Sequence, residues 1–129
     1  VIRYRTGDLV QPTWSHDERC RFVKLKGGVL GRTDDMMIIR GVNVFPTAIE
    51  EILRGFPEVD EYRMTAFKRG SMDQLKIEIE CRDEAPPESI LAIKQLLPVK
   101  LGFRVEVESV PSNSLPRFEA KGKRFVDQR

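Results

Sequence analysis

The chain has 129 residues, 40% of them hydrophobic and 33% charged, with a formal net charge of +2. That size and apolar content fill one compact domain, or one and a half small ones, without disulfide staples. No run of about eighteen apolar residues and no basic, apolar, small-residue leader is visible, so neither a helical membrane span nor a secretory signal is expected.

Cys20 and Cys81 lie 61 positions apart and His16 is the only histidine. That spacing fits no zinc site and suggests reduced thiols in a cytoplasmic protein, both cysteines acting as small buried hydrophobes. With no Ser-His-Asp or Cys-His pattern around it, His16 is expected to be a loop residue beside Trp14. Residues 1–40 carry eight basic and five acidic side chains, residues 41–110 nine and thirteen, and residues 111–129 five and two. Positive charge thus gathers at both ends, which suits a polyanionic ligand if the ends meet in space and is otherwise a solvated surface. It is too weak for a nucleic-acid binder. Val1-Ile2-Arg3-Tyr4-Arg5 opens in strand-like sequence without an initiator Met, and a piece of a longer chain is expected.

In chain order, residues 1–33 suggest two or three short strands, including Arg21 to Leu25 and Val29 to Leu30 around Gly27-Gly28. The apolar run Met36, Met37, Ile38, Ile39 predicts a buried strand ending before Arg40-Gly41. Pro46 stands where a first helical residue tolerates a missing N–H, and Ile49, Ile52, Leu53 and Phe56 follow at i, i+3, i+4 and i+7 until Pro57, the pattern of an amphipathic helix. Tyr62 to Lys68 and Leu75 to Cys81 predict two strands joined around Arg69-Gly70-Ser71-Met72-Asp73. The second sets Leu75, Ile77, Ile79 and Cys81 on a buried face against Lys76, Glu78 and Glu80 on a solvated one. Pro86-Pro87 precede a second helix striped by Ile90, Ile93 and Leu97, with Pro98 near its end, and Arg104 to Val110 alternates again. Pro111-Ser112-Asn113-Ser114-Leu115-Pro116 is a loop by composition, leading to a lysine-bearing tail.

The order strand, helix, strand, strand, helix, strand is that of an α+β, ferredoxin-like βαββαβ domain, two helices covering one face of an antiparallel sheet, preceded here by a short β-rich segment. Many unrelated activities use this arrangement, so function must come from particular residues.

Asp8 follows Tyr4-Arg5-Thr6-Gly7, where a glycine lets a strand end turn and present a carboxylate able to accept two hydroxyl hydrogen bonds, as a ribose diol offers. A Gly-Asp after a strand is also commonly only a turn. Arg32, Asp34 and Asp35 follow the strand expected at Val29-Leu30. Adjacent residues on an extended chain point opposite ways, so Asp34 and Asp35 predict no shared metal site and read instead as a polar linker between two folding units. Gly41-Val42-Asn43-Val44-Phe45-Pro46 opens the first helix; as structure alone it is a tight turn, with Asn43 available for positive φ and Phe45 filling the core. Lys121, between Ala120 and Gly122, is either part of a solvated terminus or an ammonium group delivered to a dry anionic site, where a point charge would lower the barrier to attack of a carboxylate on phosphate. Lys123, two residues on, faces the same side of an extended chain and competes for that role, with Lys121 preferred.

Together, Tyr4-Arg5-Thr6-Gly7-Asp8, Gly31-Arg32-Thr33-Asp34-Asp35, Arg40-Gly41-Val42-Asn43-Val44-Phe45-Pro46 and Pro116-Arg117-Phe118-Glu119-Ala120-Lys121-Gly122-Lys123 resemble the adenylate-forming ligases, and within them the phenylacetate-CoA ligase branch. The resemblance covers essentially the whole chain but only the C-terminal region of such an enzyme, without its phosphate-cradling loop or large substrate-binding domain. It implies that residues 1–33 end the large adenylation domain, that Asp34 is a hinge, and that residues 34–129 are a mobile lid. It further implies that Asp8 holds the ribose of the adenylate, that Arg32 contacts the nucleotide, that Gly41, Val42 and Asn43 line the pantetheine path with Glu50 in the helix behind, and that Lys121 is the catalytic lysine. The implied cofactors of the full enzyme are ATP or AMP, Mg²⁺ and coenzyme A, none bound tightly by this piece alone. Implied partners are the missing N-terminal adenylation domain and an aromatic or arylacetic acid, without nucleic acid or membrane; a homodimer is left open.

Two other functions fit less well: the lid of a related synthetase that adenylylates another acid or a deazaflavin cofactor, and a stand-alone ferredoxin-like regulatory domain for a small molecule. The second leaves Lys121 and Arg32 unexplained. An RNA-binding role expects stacking aromatics on the central strands, and Leu75 to Cys81 has none.

Overall fold

The computed structural model describes residues 3–14, 19, 21–83, 85–117 and 124–129. Their contacts gather into two compact units, Val1–Met36 and Met37–Arg129. The first is a ribbon of two antiparallel strands, β1 (Asp8–Thr13) and β2 (Lys24–Arg32). Val10 pairs with Val29 and Pro12 with Leu25, so β2 carries two more residues than β1 over that stretch. Gly27 and Gly28 absorb them at φ +77° and +72°, a bulge that L side chains would resist. Where the sequence pattern suggested two strands around these glycines, there is one bulged strand, and Arg21 to Val23 lie outside it. A 3₁₀ turn, Thr33–Asp35, closes the unit.

The second unit begins with a hairpin of β3 (Met37–Ile39) and β4 (Val42–Val44). Its two-residue turn is Arg40-Gly41, with φ of +51° and +80°, the pair of positive values that a tight hairpin matching the strand twist requires. Positive φ therefore falls on Arg40 and Gly41, whereas Asn43 is exposed in the middle of β4, opposite Ile38. Helix α1 (Pro46–Arg54) starts with Pro46 in its first turn and half-buried Phe45 as N-cap. Next come β5 (Val59–Arg69), β6 (Met72–Cys81), α2 (Pro87–Leu101), β7 (Glu106–Val110) and β8 (Phe125–Asp127).

The sheet order is β7-β6-β5-β8, with β5 and β6 an antiparallel hairpin, β7 parallel to β6 and β8 parallel to β5. The α+β, ferredoxin-like class expected from the pattern is what forms, with one exchange. The place beside β5 belongs to β8 rather than to the Met36–Ile39 segment, which is satisfied by its own hairpin, and both outer pairings are parallel. A three-residue strand in a basic tail carries almost no periodicity, which is why the pattern gave no sign of β8.

On the helix side of the sheet Tyr62 faces Ile79, Met64 faces Ile77 and Ala66 faces Leu75. With Ile49 and Leu53 of α1, Ile93 and Leu97 of α2, and Met37, Ile39 and Val44 of the hairpin, they form one core. Pro98 lies in the last turn of α2, near its end as the pattern suggested. There it forfeits a single backbone bond, and the helix stops at Gly102, whose φ of +78° and N–H to the carbonyl of Pro98 at 2.9 Å make a left-handed cap. Cys81 is a buried free thiol whose pKa burial pushes up, as expected of a structural cysteine; Cys20 and His16 lie outside the described residues. Among the described residues no helix is long and apolar enough to cross a membrane.

Leu97 is wholly buried, whereas Leu91 on the same helix is 55% exposed. Leu97→Ala should therefore cost about 2–5 kcal/mol in urea unfolding, and Leu91→Ala no more than about 0.5 kcal/mol.

Candidate functional site

In the first unit the antiparallel register sets Asp8 directly across from Arg32. Gly7, at φ +75°, turns the chain into β1, and its carbonyl accepts both the backbone N–H of Thr33 at 2.7 Å and the Thr33 hydroxyl at 3.0 Å. The Thr6 hydroxyl accepts the N–H of Asp8 at 3.3 Å. These bonds pin the loop before β1 to the turn after β2, so residues 26 positions apart share one ledge. Arg32 reaches Asp34 at 3.1 Å, with side chains 55% and 70% exposed. A Cβ built on Gly7 would lie 3.5 Å from an Asp34 carboxylate oxygen and 3.8 Å from the Arg32 guanidinium, which shows how closely backbone and charged groups gather.

The structure thus brings together Asp8, Arg32 and Asp34, three of the residues singled out in the sequence. The exposed Asp8 carboxylate is open to a diol, and the guanidinium one strand away can meet a phosphate. An exposed ion pair is worth at most about 1 kcal/mol, so Arg32 can exchange Asp34 for an anionic ligand at little cost.

The second unit carries Gly41, Val42 and Asn43 at the tip and second strand of the β3–β4 hairpin, and nothing lies within 4 Å of where a Gly41 Cβ would be. The tip is braced from its own unit. Arg40 donates to the Asp73 carbonyl at 3.0 Å, and Arg129 donates to the Ile38 carbonyl at 2.7 Å and to the Asp73 carboxylate at 3.2 Å. Arg129 also grips Asp127 at 2.8 Å, and that guanidinium holds the Asp127 carboxyl well below the ordinary carboxylate range, at about 2. Glu50, behind the hairpin on α1, is buried, pairs with Arg54, and lines a hollow of about 290 Å³ with Tyr62 and Arg124. Burial first and the Glu50 charge second push the Tyr62 phenol up to about 12.

Lys121 and Lys123 lie outside the described residues, but the chain on both sides of them is well held. Glu80 of β6, with no exposed surface, accepts the N–H of Asn113 at 2.8 Å, the N–H of Leu115 at 3.2 Å and the guanidinium of Arg117 at 2.6 Å. Arg117 holds the Glu80 carboxyl below its ordinary pKa. Glu61 of β5 receives Arg124 through two nitrogens, at 2.7 and 3.2 Å, and the same guanidinium lies 5.3 Å from the Tyr62 ring centroid. Alternation along β6 assigned Glu80 to the solvated face. It is buried because the 111–117 loop folds over that face, a contact 33 to 37 residues away in sequence that no local pattern signals. Among the described residues no group of three or more His, Cys, Asp or Glu side chains is placed to hold a metal ion.

A family model described as the AMP-binding enzyme C-terminal domain matches residues 41–129. The chain belongs to that family. The whole chain is 31% identical over 150 aligned residues to a phenylacetate-coenzyme A ligase of Thermus thermophilus, covering 34% of that protein. Among solved structures, a domain of phenylacetate-coenzyme A ligase from Bacteroides vulgatus is similar at a TM-score of 0.65 and 30% identity, over 74% of this chain and 94% of that one. A 2-hydroxyisobutyryl-CoA ligase in a postadenylation state with its acyl-AMP is similar at 0.74 and 30% identity, over 96% of this chain and 28% of that one. The same ligase in a thioesterification state with CoA matches at 0.65. This AMP-binding enzyme C-terminal domain spans about a third of the length of its curated relatives.

Because the folded-state pKa of Asp127 lies below the ordinary carboxylate value, its pairing with Arg129 stabilises the domain above about pH 4 and is lost as pH falls toward about 2. Carboxyl NMR titration should show Asp127 protonating well below the ordinary aspartate range, at about 2, and Arg129→Ala should return it to that range and remove that acid-sensitive part of the stability.

Proposed function

We propose that this chain is the C-terminal part of an ATP-dependent acid-CoA ligase of the phenylacetate-CoA ligase kind, working with an upstream adenylation domain in a cytoplasmic protein. The observation that carries the proposal is the register that puts Asp8 across from Arg32, a carboxylate able to accept the hydroxyls of a ribose diol beside a guanidinium able to meet a phosphate.

The reaction has two steps. In the first, a carboxylate oxygen of an aromatic or arylacetic acid attacks the α-phosphorus of ATP, supplied with Mg²⁺ as substrate, and the bond to pyrophosphate breaks. Asp8 accepts the ribose hydroxyls and Arg32 leaves Asp34 for the nucleotide. Lys121 places its ammonium group between the two anionic reactants, where a fixed charge counts for far more than in water. In the second, the coenzyme A sulfur attacks the acyl carbonyl, AMP departs and the thiol proton is released. Between the steps residues 34–129 rotate about Asp34, and the Gly41-Val42-Asn43 hairpin replaces the lysine at the centre, its bare tip giving the pantetheine arm room. The bracing of that hairpin by Arg40 and Arg129 supports this role, because a loop that must displace another group has to travel as a rigid piece.

In the intact ligase Lys121→Ala should lower the rate of acyl-adenylate formation by about 10²–10³-fold and leave conversion of supplied acyl-adenylate to thioester within about threefold. Gly41→Leu should do the reverse, since it strains the hairpin turn at φ +80° and crowds the tip that serves the thioester-forming step. Equal loss of both half-reactions in either variant would contradict the division of labour.

A further inference from the structure

Glu61 and Glu80 are register partners on neighbouring strands, 4% and 0% exposed. Two buried carboxylates so placed repel each other and cannot remain charged without counterions. Each has one: Arg117 for Glu80 at 2.6 Å and Arg124 for Glu61 at 2.7 Å. These two arginines are the residues immediately before and after segment 118–123, so both ends of that segment are tied to adjacent positions on β6 and β5. Downstream, Arg124 leads directly into β8, whose Phe125 pairs with Met64. Upstream, Glu80 also takes the N–H groups of Asn113 and Leu115, fixing the chain as it approaches Arg117.

We propose that Glu61 and Glu80 are positioning residues for the adenylation step, acting through Arg124 and Arg117 to hold the chain on either side of Lys121. Resting on the role proposed for Lys121, this adds a reason for a carboxylate pair at the centre of a sheet. A single ammonium group must be delivered within hydrogen-bonding distance of a phosphate, and a misplacement of about 1 Å can cost about a hundredfold in rate. Fixing both ends of a short segment narrows the positions its middle can reach, which one anchor cannot do. Neither carboxylate touches substrate in this scheme, so neither affects the grip of Asp8 and Arg32 on the nucleotide.

The test uses Glu61→Gln, Glu80→Gln and Arg117→Ala in the intact ligase, with Lys121→Ala beside them. Because Arg117→Ala leaves the buried Glu80 without its counterion, the two isosteric Glu→Gln variants carry the main weight, and each variant is checked for folding by urea unfolding. Each clamp variant should lower kcat for acyl-adenylate formation by about 10–100-fold while KM for ATP and the thioester-forming half-reaction stay within about twofold. Arg117→Lys should recover part of the loss, and in Glu80→Gln the Leu115 amide should exchange its hydrogen faster than in the parent. Full adenylation in folded clamp variants, with Lys121→Ala crippled, would overturn the clamp and leave the lysine's role standing. Equal loss of both half-reactions would also overturn it, by reducing the pair to fold stability. Undiminished adenylation in Lys121→Ala would overturn the lysine's role, and the clamp with it.

Discussion

Burying two carboxylates side by side is a demand that the rest of the second unit has to meet. Glu61 and Glu80 occupy facing positions in the central β5–β6 hairpin, and arginines from beyond β7, Arg124 and Arg117, pair with them. The C-terminal tail must therefore return to the sheet, and β8 is the form that return takes. This explains why β8 rather than the Met36–Ile39 segment lies beside β5, and why the loop at residues 111–117 covers a face that strand alternation leaves to solvent. Apolar burial on the opposite face holds the helices; charge compensation on this one settles the path of the tail.

How much of this was legible depended on how local the cause was. The helix of Ile49, Ile52 and Leu53 and the strand of Leu75, Ile77 and Ile79 show in the sequence because burial of one face imposes a period on neighbouring residues. Pro98 marked the end of the second helix to within a turn, because a proline in a last turn costs one bond and not the turn. Gly27-Gly28 suggested a break where there is a bulge, since the partner strand that holds β2 together lies 11 to 24 residues upstream. Positive φ was expected at Asn43 and belongs to Arg40, where register, not residue preference, decides the turn. The burial of Glu80 was hidden altogether, being a contact between chain regions more than thirty residues apart.

Among the candidate residues, motif reading singled out Asp8, Arg32 and Asp34, and the fold brings these three to one ledge. It singled out Gly41 to Asn43 as well, and the structure adds what holds their hairpin: Arg40 and Arg129, bonded to Asp73 and Ile38 within the same unit. Two kinds of arginine pair bear on the candidate site. Arg32 stands in a weak, exposed pair and is free to change partner, whereas Arg117, Arg124 and Arg129 bind carboxylates that are buried, bidentate or strongly acidified. Ligand exchange needs the first kind of pair and precise placement needs the second.

The central claim is that a rigidly anchored tail carries one ammonium group to the phosphate of a nucleotide held by Asp8 and Arg32. A crystal structure of the intact ligase with a non-hydrolysable acyl-adenylate analogue tests it most directly. The account predicts the Lys121 Nζ within about 3.2 Å of an oxygen on the phosphate mimic, with Arg117 and Arg124 still on Glu80 and Glu61. A complex in the adenylate-forming arrangement with Lys123 in that place, or with neither lysine near the phosphate mimic, would contradict it.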